Sequence, residues 1–344
     1  MYASLRRLSI TIAAAGALAT TAAFAVAGPA SASTADASTG VSYHFQTLNN
    51  GADLTFNQLL GINDARIIVG YFGDGTVVAN NGYVLMPKNH YSVENFTNLP
   101  SGDSASQTQA IGINNDEQSP DIVGFYTDAK SGVTHGFLDT NGVQMAVDDP
   151  HGSAPYVAAP VQNLLGVNDR NEAAGFWVDN NGNEHGFVAQ LNESSMKFSF
   201  TEVPPSLFKG AVATQVSAIN DEQLVCGFWT DANKVSHGFV GLLGRQYYSF
   251  EAEISGMKVM STQVFGCNNN GGIVGQVTDS SGELHGFIYQ EGRFEAFDAP
   301  GSSQTPEFGV QGTLINGIND FGDIVGFFSD GVSKVKSFVR YADE

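Results

Sequence analysis

The sequence predicts an all-β fold, a six-bladed propeller whose four-stranded antiparallel blades close into a ring, on three observations. A Gly-Ile-Asn-Asp motif recurs six times, strand-like runs follow each copy at fixed offsets, and the start of the domain reads like the fourth strand that the last copy lacks. Composition agrees, because 40 glycines and only 15% charged residues in 344 suit short strands and tight turns better than helices. With 42% hydrophobic and 11% aromatic residues the chain can build a core and is not a disordered one.

Residues 1–32 are expected to be a signal peptide. Arg6 and Arg7 precede the uncharged, alanine-rich residues 8–27, and Gly28-Pro29 breaks that stretch before the small-residue cleavage pattern Ala30-Ser31-Ala32. Residues 33–40, small and polar, read as a flexible lead-in, and 41–344 as one propeller domain. The formal charge is −20, and loss of the two arginines makes it −22. That balance excludes a nucleic-acid binder, which needs clustered cations, and disfavours an anionic membrane surface. No later segment approaches a membrane span, so the expectation is a secreted, extracellular monomer.

The motif stands at Gly61-Ile62-Asn63-Asp64, Gly112-Ile113-Asn114-Asn115, Gly166-Val167-Asn168-Asp169, Ala218-Ile219-Asn220-Asp221, Gly266-Cys267-Asn268-Asn269 and Gly317-Ile318-Asn319-Asp320. From Asn63 to Asn319, 256 residues are covered in five steps of about 51. Each motif ends an apolar first strand, and the Asn begins a turn in which its side chain can bond the backbone two residues on. A second strand follows, with an apolar triplet closed by glycine, as in Ile68-Val69-Gly70 and Ile324-Val325-Gly326. A third strand opens on His-Gly-Phe at His135, His185, His237 and His285, and a fourth alternates aromatics up to a Pro or Gly. Four antiparallel strands at this period are the signature of radial repetition. The segment Tyr43-His44-Phe45-Gln46-Thr47-Leu48 resembles the fourth-strand segment Glu94-Asn95-Phe96-Thr97-Asn98-Leu99, and the last copy stops after Ser337-Phe338-Val339-Arg340. The N-terminal strand is therefore expected to complete the sixth blade.

In the order Gly-Ile-Asn, Ile-Val-Gly-Phe/Tyr, His-x-Phe, Pro-Gly, the chain resembles the extracellular repeats of the HAF family, named for a His-Ala-Phe strand, over residues 42–341. Here the middle residue is Gly, the first copy carries Asn81-Gly82-Tyr83 and the last Lys336-Ser337-Phe338. The resemblance implies a secreted repeat protein and carries no catalytic residues to transfer.

Repetition sorts the candidate residues. Groups present in every blade are expected to be scaffold, since an active site needs unlike groups converging. The strand histidines are therefore expected to pin their own hairpins through Asp128, Asp179, Asp231 and Asp279, with Asp330 and Lys336 pairing in the sixth copy. Five residues before each turn Asn stand Gln58, Gln109, Asn163, Gln215 and Gln263, with Leu314 the exception. These amides are read as lining one mouth of the channel, or as bonding the neighbouring blade. Residues that break the repeat are the stronger binding candidates: His151 and Tyr156 in a long loop, Phe208 with Lys209, Met257 to Met260, and Gln304 to Phe308. Trp177 and Trp229, in matching positions of adjacent blades, are read as able to stack on a sugar or to fill the core.

No cofactor is expected. The oxygen-rich turn Asp179-Asn180-Asn181-Gly182-Asn183-Glu184 suggests calcium at most, without the glycine position of an EF-hand. No nucleophile elbow, zinc helix or phosphate loop occurs, so the expected function is a binding module for a polar, carbohydrate-like ligand or extracellular polymer. An extracellular polysaccharide hydrolase or lyase is the alternative. Counted through the turn, Cys226 and Cys267 fall on the same face of their sheets, which predicts two buried free thiols.

Overall fold

A computed structural model describes residues 31–35, 42–87, 92–95 and 104–342, so most of the expected export segment lies outside the described residues. Strand β1 (Ser31–Ala35) runs antiparallel to β2 (Ser42–Thr47). Blade one holds β3 (Asn57–Ile62), β4 (Ile68–Phe72), β5 (Asn81–Met86) and β6 (Ser92–Asn95). Blade two holds β7 (Ala105–Ile113), β8 (Ile122–Asp128), β9 (Thr134–Thr140) and β10 (Val143–Val147). Blade three follows with β11 (Gln162–Val167), β12 (Glu172–Val178), β13 (Glu184–Asn192) and β14 (Lys197–Val203). Blade four has β15 (Ala211–Ile219), β16 (Leu224–Asp231), β17 (Ser236–Leu242) and β18 (Tyr247–Phe250). Blade five has β19 (Val259–Cys267), β20 (Ile273–Asp279), β21 (Leu284–Gln290) and β22 (Arg293–Phe297). Blade six has β23 (Thr313–Ile318), β24 (Ile324–Ser329) and β25 (Val335–Tyr341), and β2 pairs with β25 to complete it.

The protein is thus a six-bladed β-propeller latched by its N-terminal strand, with Phe45 stacked on Phe338 at 5.4 Å. The second strands are buried on both faces, as expected where each sheet is covered by two neighbours.

The repeat residues have local causes. Every first strand carries a bulge, between Leu59 and Gly61 in blade one and at the matching place in the other five. The glycine closing each second-strand triplet faces that segment. A Cβ on Gly70, Gly124, Gly175, Gly227, Gly275 or Gly326 would overlap the carbonyl oxygen of Gln58, Gln109, Asn163, Gln215, Gln263 or Leu314.

At the axis the Asn turns form a belt. Within each turn the Asn side chain accepts from the backbone, as Asn63 Oδ1 does from Ile67 N at 2.9 Å. The following residue then joins the blades, because Asp64 N donates to Asn115 Oδ1, Asn115 N to Asp169, Asp169 N to Asp221, Asp221 N to Asn269, Asn269 N to Asp320, and Asp320 N back to Asp64, all at 2.8–3.0 Å. Six donors and six acceptors close on themselves, so ring size and turn sequence are matched. Burial and the neighbouring carboxylates push Asp64 and Asp169 upward in pKa, although a backbone donor opposes this in each.

Two expectations need correction. Cys226 and Cys267 form a disulfide between blades four and five, with Cα atoms 6.5 Å apart, so the chain has no free thiol. The turn closes Ile62 directly against Ile68, and cross-strand partners share a face; Val69, one residue on, points the other way. Cys226 is the Val69-like residue and Cys267 the Ile62-like one, hence they lie on opposite faces of their sheets and meet where adjacent blades touch.

The histidines differ too. His135 Nδ1 lies 2.6 Å from Asp148 and His285 Nδ1 2.8 Å from Asp298, while His237 Nδ1 pairs with Glu251; these acids end the fourth strands, opposite each His. Of the expected hairpin acids, Asp179 stands 3.3 Å from His185 and Asp279 4.0 Å from His285. The Lys336–Asp330 pair of blade six is present at 3.0 Å.

Candidate functional site

Blade three departs from this scheme at one position. The residue opposite His185 would follow Val203, and it is Pro204 where blades two, four and five carry an acid. His185 therefore keeps only the hairpin acid Asp179 and lies flat on Trp177, ring centroids 4.1 Å apart at 11°. Partial burial works to raise the Asp179 pKa, but hydrogen bonds from Asn183 N, His185 and Asn181 N outweigh it and hold the carboxyl at about 2.

The loop from blade two builds the opposite wall. Asp149 caps a short 3-10 turn, Pro150–Gly152, accepting from His151 N at 2.8 Å, with Pro150 at the position where its missing N–H is not needed. Gly152 lies against Trp177, and a Cβ there would come within 2.5 Å of the Trp177 Cβ. Gln162 pins the turn, accepting from Asp149 N at 2.6 Å and donating to Asp149 O and Ser153 Oγ at 3.1 and 3.0 Å. Asn180, from the β12–β13 turn, ties the far end of the loop by donating to Tyr156 O at 2.9 Å and accepting from Ala158 N at 3.0 Å.

Between these walls lies a cleft of about 420 Å³, lined by His151, Tyr156, Val157, Trp177, Asp179, Asn180, His185 and Glu202. That volume falls within the roughly 300–1,000 Å³ of small-molecule sites. Tyr156 is 66% exposed, its ring 6.4 Å from that of His151. Trp177 is buried, and its Nε1, itself a buried atom, has no hydrogen-bond partner among the described residues. The cleft thus offers an exposed aromatic ring, two carboxylates and an amide side by side. It sits on the face that carries the loops between blades.

No family model matches the sequence, and no curated protein matches it. Among solved structures the chain is similar to a Trypanosoma rangeli sialidase in complex with the inhibitor DANA, with 7% identity and a TM-score of 0.48 over 86% of this chain and 56% of that one. It is also similar to the β-propeller domain of the trilobed protease from Pyrococcus furiosus, with 9% identity and a TM-score of 0.47 over 93% and 96% of the chains. The fucose-specific lectin from Aleuria aurantia matches with 10% identity and a TM-score of 0.43 over 88% of each. The chain spans little more than half the length of the sialidase. At such identity and TM-score nothing about the cleft follows from these likenesses.

Of the candidate residues, His151, Tyr156 and Trp177 come together in the cleft. Trp229 does not join them; it stacks on His237 at 4.1 Å and on Phe208 at 5.8 Å, and donates to Ser249 Oγ at 2.8 Å. The amides lie elsewhere, in the first strands. Gln58 accepts from Tyr71 Oη at 2.8 Å, while Gln109 and Gln263 each donate at 3.2 Å to Asn80 and Ser236 of the preceding blade. Asn163 is buried and Gln215 half-buried.

Of the other cleft residues, Asp179, Asn180 and His185 are read from the sequence only as hairpin or turn groups, and Glu202 is not singled out there. Their signal was available: Pro204 breaks the run of acids that ends the neighbouring fourth strands.

Among the described residues, two groups bring three possible metal-ligating atoms within 4.8 Å of one another, Asp149 with His151 and Glu202, and Asp279 with Glu283 and His285. In the acid-rich turn considered for calcium, Asp179 commits its oxygens to Asn181, Asn183 and His185.

Proposed function

We propose that the protein is an exported binding module that takes a carbohydrate in the blade-three cleft. One observation carries the reading: the blade-two loop sets the exposed Tyr156 ring across from the Trp177–His185 stack, and the cleft of about 420 Å³ between them is lined by the polar groups of Asp179, Asn180 and Glu202. A polyhydroxylated ring has the apolar face that an exposed aromatic accepts and the hydroxyls that Asp179, Asn180 and Glu202 would bond.

Binding is favoured over hydrolysis on two grounds. Every cleft residue comes from one blade and the loop leading into it, and Asp179, held near 2, is ionised at neutral pH and cannot donate a proton as a general acid. Export is part of the proposal, supported by the leader-like residues 1–32 and by the interblade disulfide, a feature of oxidising compartments. On the repeat pattern we place the protein beside the HAF-type secreted proteins. No helix among the described residues is long and apolar enough to cross a membrane.

Glycan-array screening followed by titration of the best ligand tests the reading. Tyr156→Ala should weaken binding roughly tenfold, the loss of one aromatic anchor, without changing the unfolding midpoint. Equal binding by Tyr156→Ala and wild type, or no glycan bound across the array, would refute it.

A further inference from the structure

We propose that Asp149, His151 and Glu202 form a binding site for a divalent transition metal, with zinc the best match, at the lip of the blade-three cleft. His151 Nδ1 lies 3.0 Å from Asp149 Oδ1 and 3.2 Å from Glu202 Oε1. Ligand atoms placed about 2.0 Å from a tetrahedral metal are separated by about 3.3 Å, so both spacings are those of tetrahedron edges. Three protein ligands leave a fourth position open, and since His151 and Glu202 line the cleft, that position belongs to whatever enters it.

A second observation points to the same place. Asp149 is fully buried, and its Oδ2 has no hydrogen-bond donor among the described residues. Its ion-pair partner among the described residues is His151, which also serves Glu202, so two carboxylates face one imidazole. A buried carboxylate left with so little compensation is costly, and a dication supplies what a single shared imidazole does not. The loop holds the carboxylate in place through its cap on His151 N and the Gln162 bonds to the Asp149 backbone.

The ligand types select the metal. Calcium and magnesium take oxygen, whereas one imidazole with two carboxylates suits zinc and its first-row neighbours. The Asp279–Glu283–His285 group is the natural control. There Asp279 accepts from Ser281 and Glu283, and His285 Nδ1 is engaged by Asp298.

Zinc chloride titrated by calorimetry into chelator-stripped protein lacking any histidine tag tests the site. Wild type should bind one equivalent, His151→Ala and Glu202→Gln should each weaken it at least tenfold, and His285→Ala should leave it unchanged. The His151 side chain is 68% exposed, so its removal leaves the fold intact, which an unchanged unfolding midpoint checks. Absence of zinc binding, or binding that survives His151→Ala and Glu202→Gln alike, overturns the proposal. The site does not depend on the carbohydrate reading. Zinc bound without any glycan leaves the metal site standing and removes the lectin, whereas glycan bound by protein that takes up no zinc does the reverse.

Discussion

Blades three and four begin from the same design and end differently. Each stacks a second-strand tryptophan on a third-strand histidine at 4.1 Å. In blade four the short connection from β14 brings Phe208 over Trp229, nearly parallel at 8°, and Ser249 accepts the indole proton. In blade three the longer connection from β10 passes Gly152 beside Trp177 and carries its aromatic, Tyr156, out to solvent. By strand register Glu202 occupies the place of Ser249, but its Oε1 lies against His151 and the Trp177 donor stays unpaired. The scaffold is common to both; one loop lays its own aromatic on a half-buried tryptophan, and the other buries the tryptophan and turns its aromatic outward to wall a cleft.

The largest expected effect separates those roles. Phe208 is buried and packs on Trp229, Phe239 and Tyr247, so Phe208→Ala should destabilise the protein by about 3–5 kcal/mol. Tyr156→Ala in blade three should stay within about 0.5 kcal/mol of wild type in the same urea titration. Similar losses from the two variants would erase the distinction. Next in size is the bridge between blades four and five. Its cysteines are 41 residues apart, and replacing both by alanine should remove roughly 2–4 kcal/mol, read as the difference from oxidised wild type. A midpoint unchanged by the double replacement would mean that the bridge constrains nothing.

Most of the fold could be read because the repeat states it six times, and the closing strand was visible in Tyr43-His44-Phe45. What failed was any inference that needed the relative placement of strands. The disulfide was missed by counting faces through a turn whose closure pairs Ile62 with Ile68, and the histidine partners by not knowing which fourth-strand residue stands opposite each His. The belt of Asp64, Asn115, Asp169, Asp221, Asn269 and Asp320 links blades and has no single-repeat signature. For the cleft, His151, Tyr156 and Trp177 could be read as loop or aromatic residues and Asp179 as the partner of His185, whereas Glu202 looks like any acid in an acidic chain. Of the two readings of the amides, Gln109 and Gln263 follow the bond to a neighbouring blade, whereas Gln58 bonds Tyr71 within its own.

Gly152→Ala probes the device that makes the two blades differ. Its Cβ would press on Trp177, and the loop or the ring must give way, at about 1–3 kcal/mol. The expected result is a lowered urea midpoint together with lost ligand binding. Lost stability with full binding would show that the loop adapts and that its close approach to Trp177 does not shape the cleft.

The smallest effect lies at the start of the third strands, where blade three has Glu184 and blade four Ser236. Burial pushes Glu184 up to about 7 from an ordinary value of 4.5, with Lys234 pulling it down by less. A carboxyl whose pKa is raised by folding opposes folding where it must ionise. Below pH 4.5 it is neutral in both states and has no effect; between 4.5 and 7 the unfolded chain releases its proton first and stability falls; above 7 the loss is complete. Glu184→Gln is neutral throughout. Its advantage over wild type should therefore be absent at about pH 4, grow across that window and level off above it, reaching about 1 kcal/mol after allowance for partial access to water. Urea midpoints of the two proteins measured across that range decide the matter, and a difference independent of pH would mean that Glu184 is ionised in the folded protein as it is in the unfolded chain.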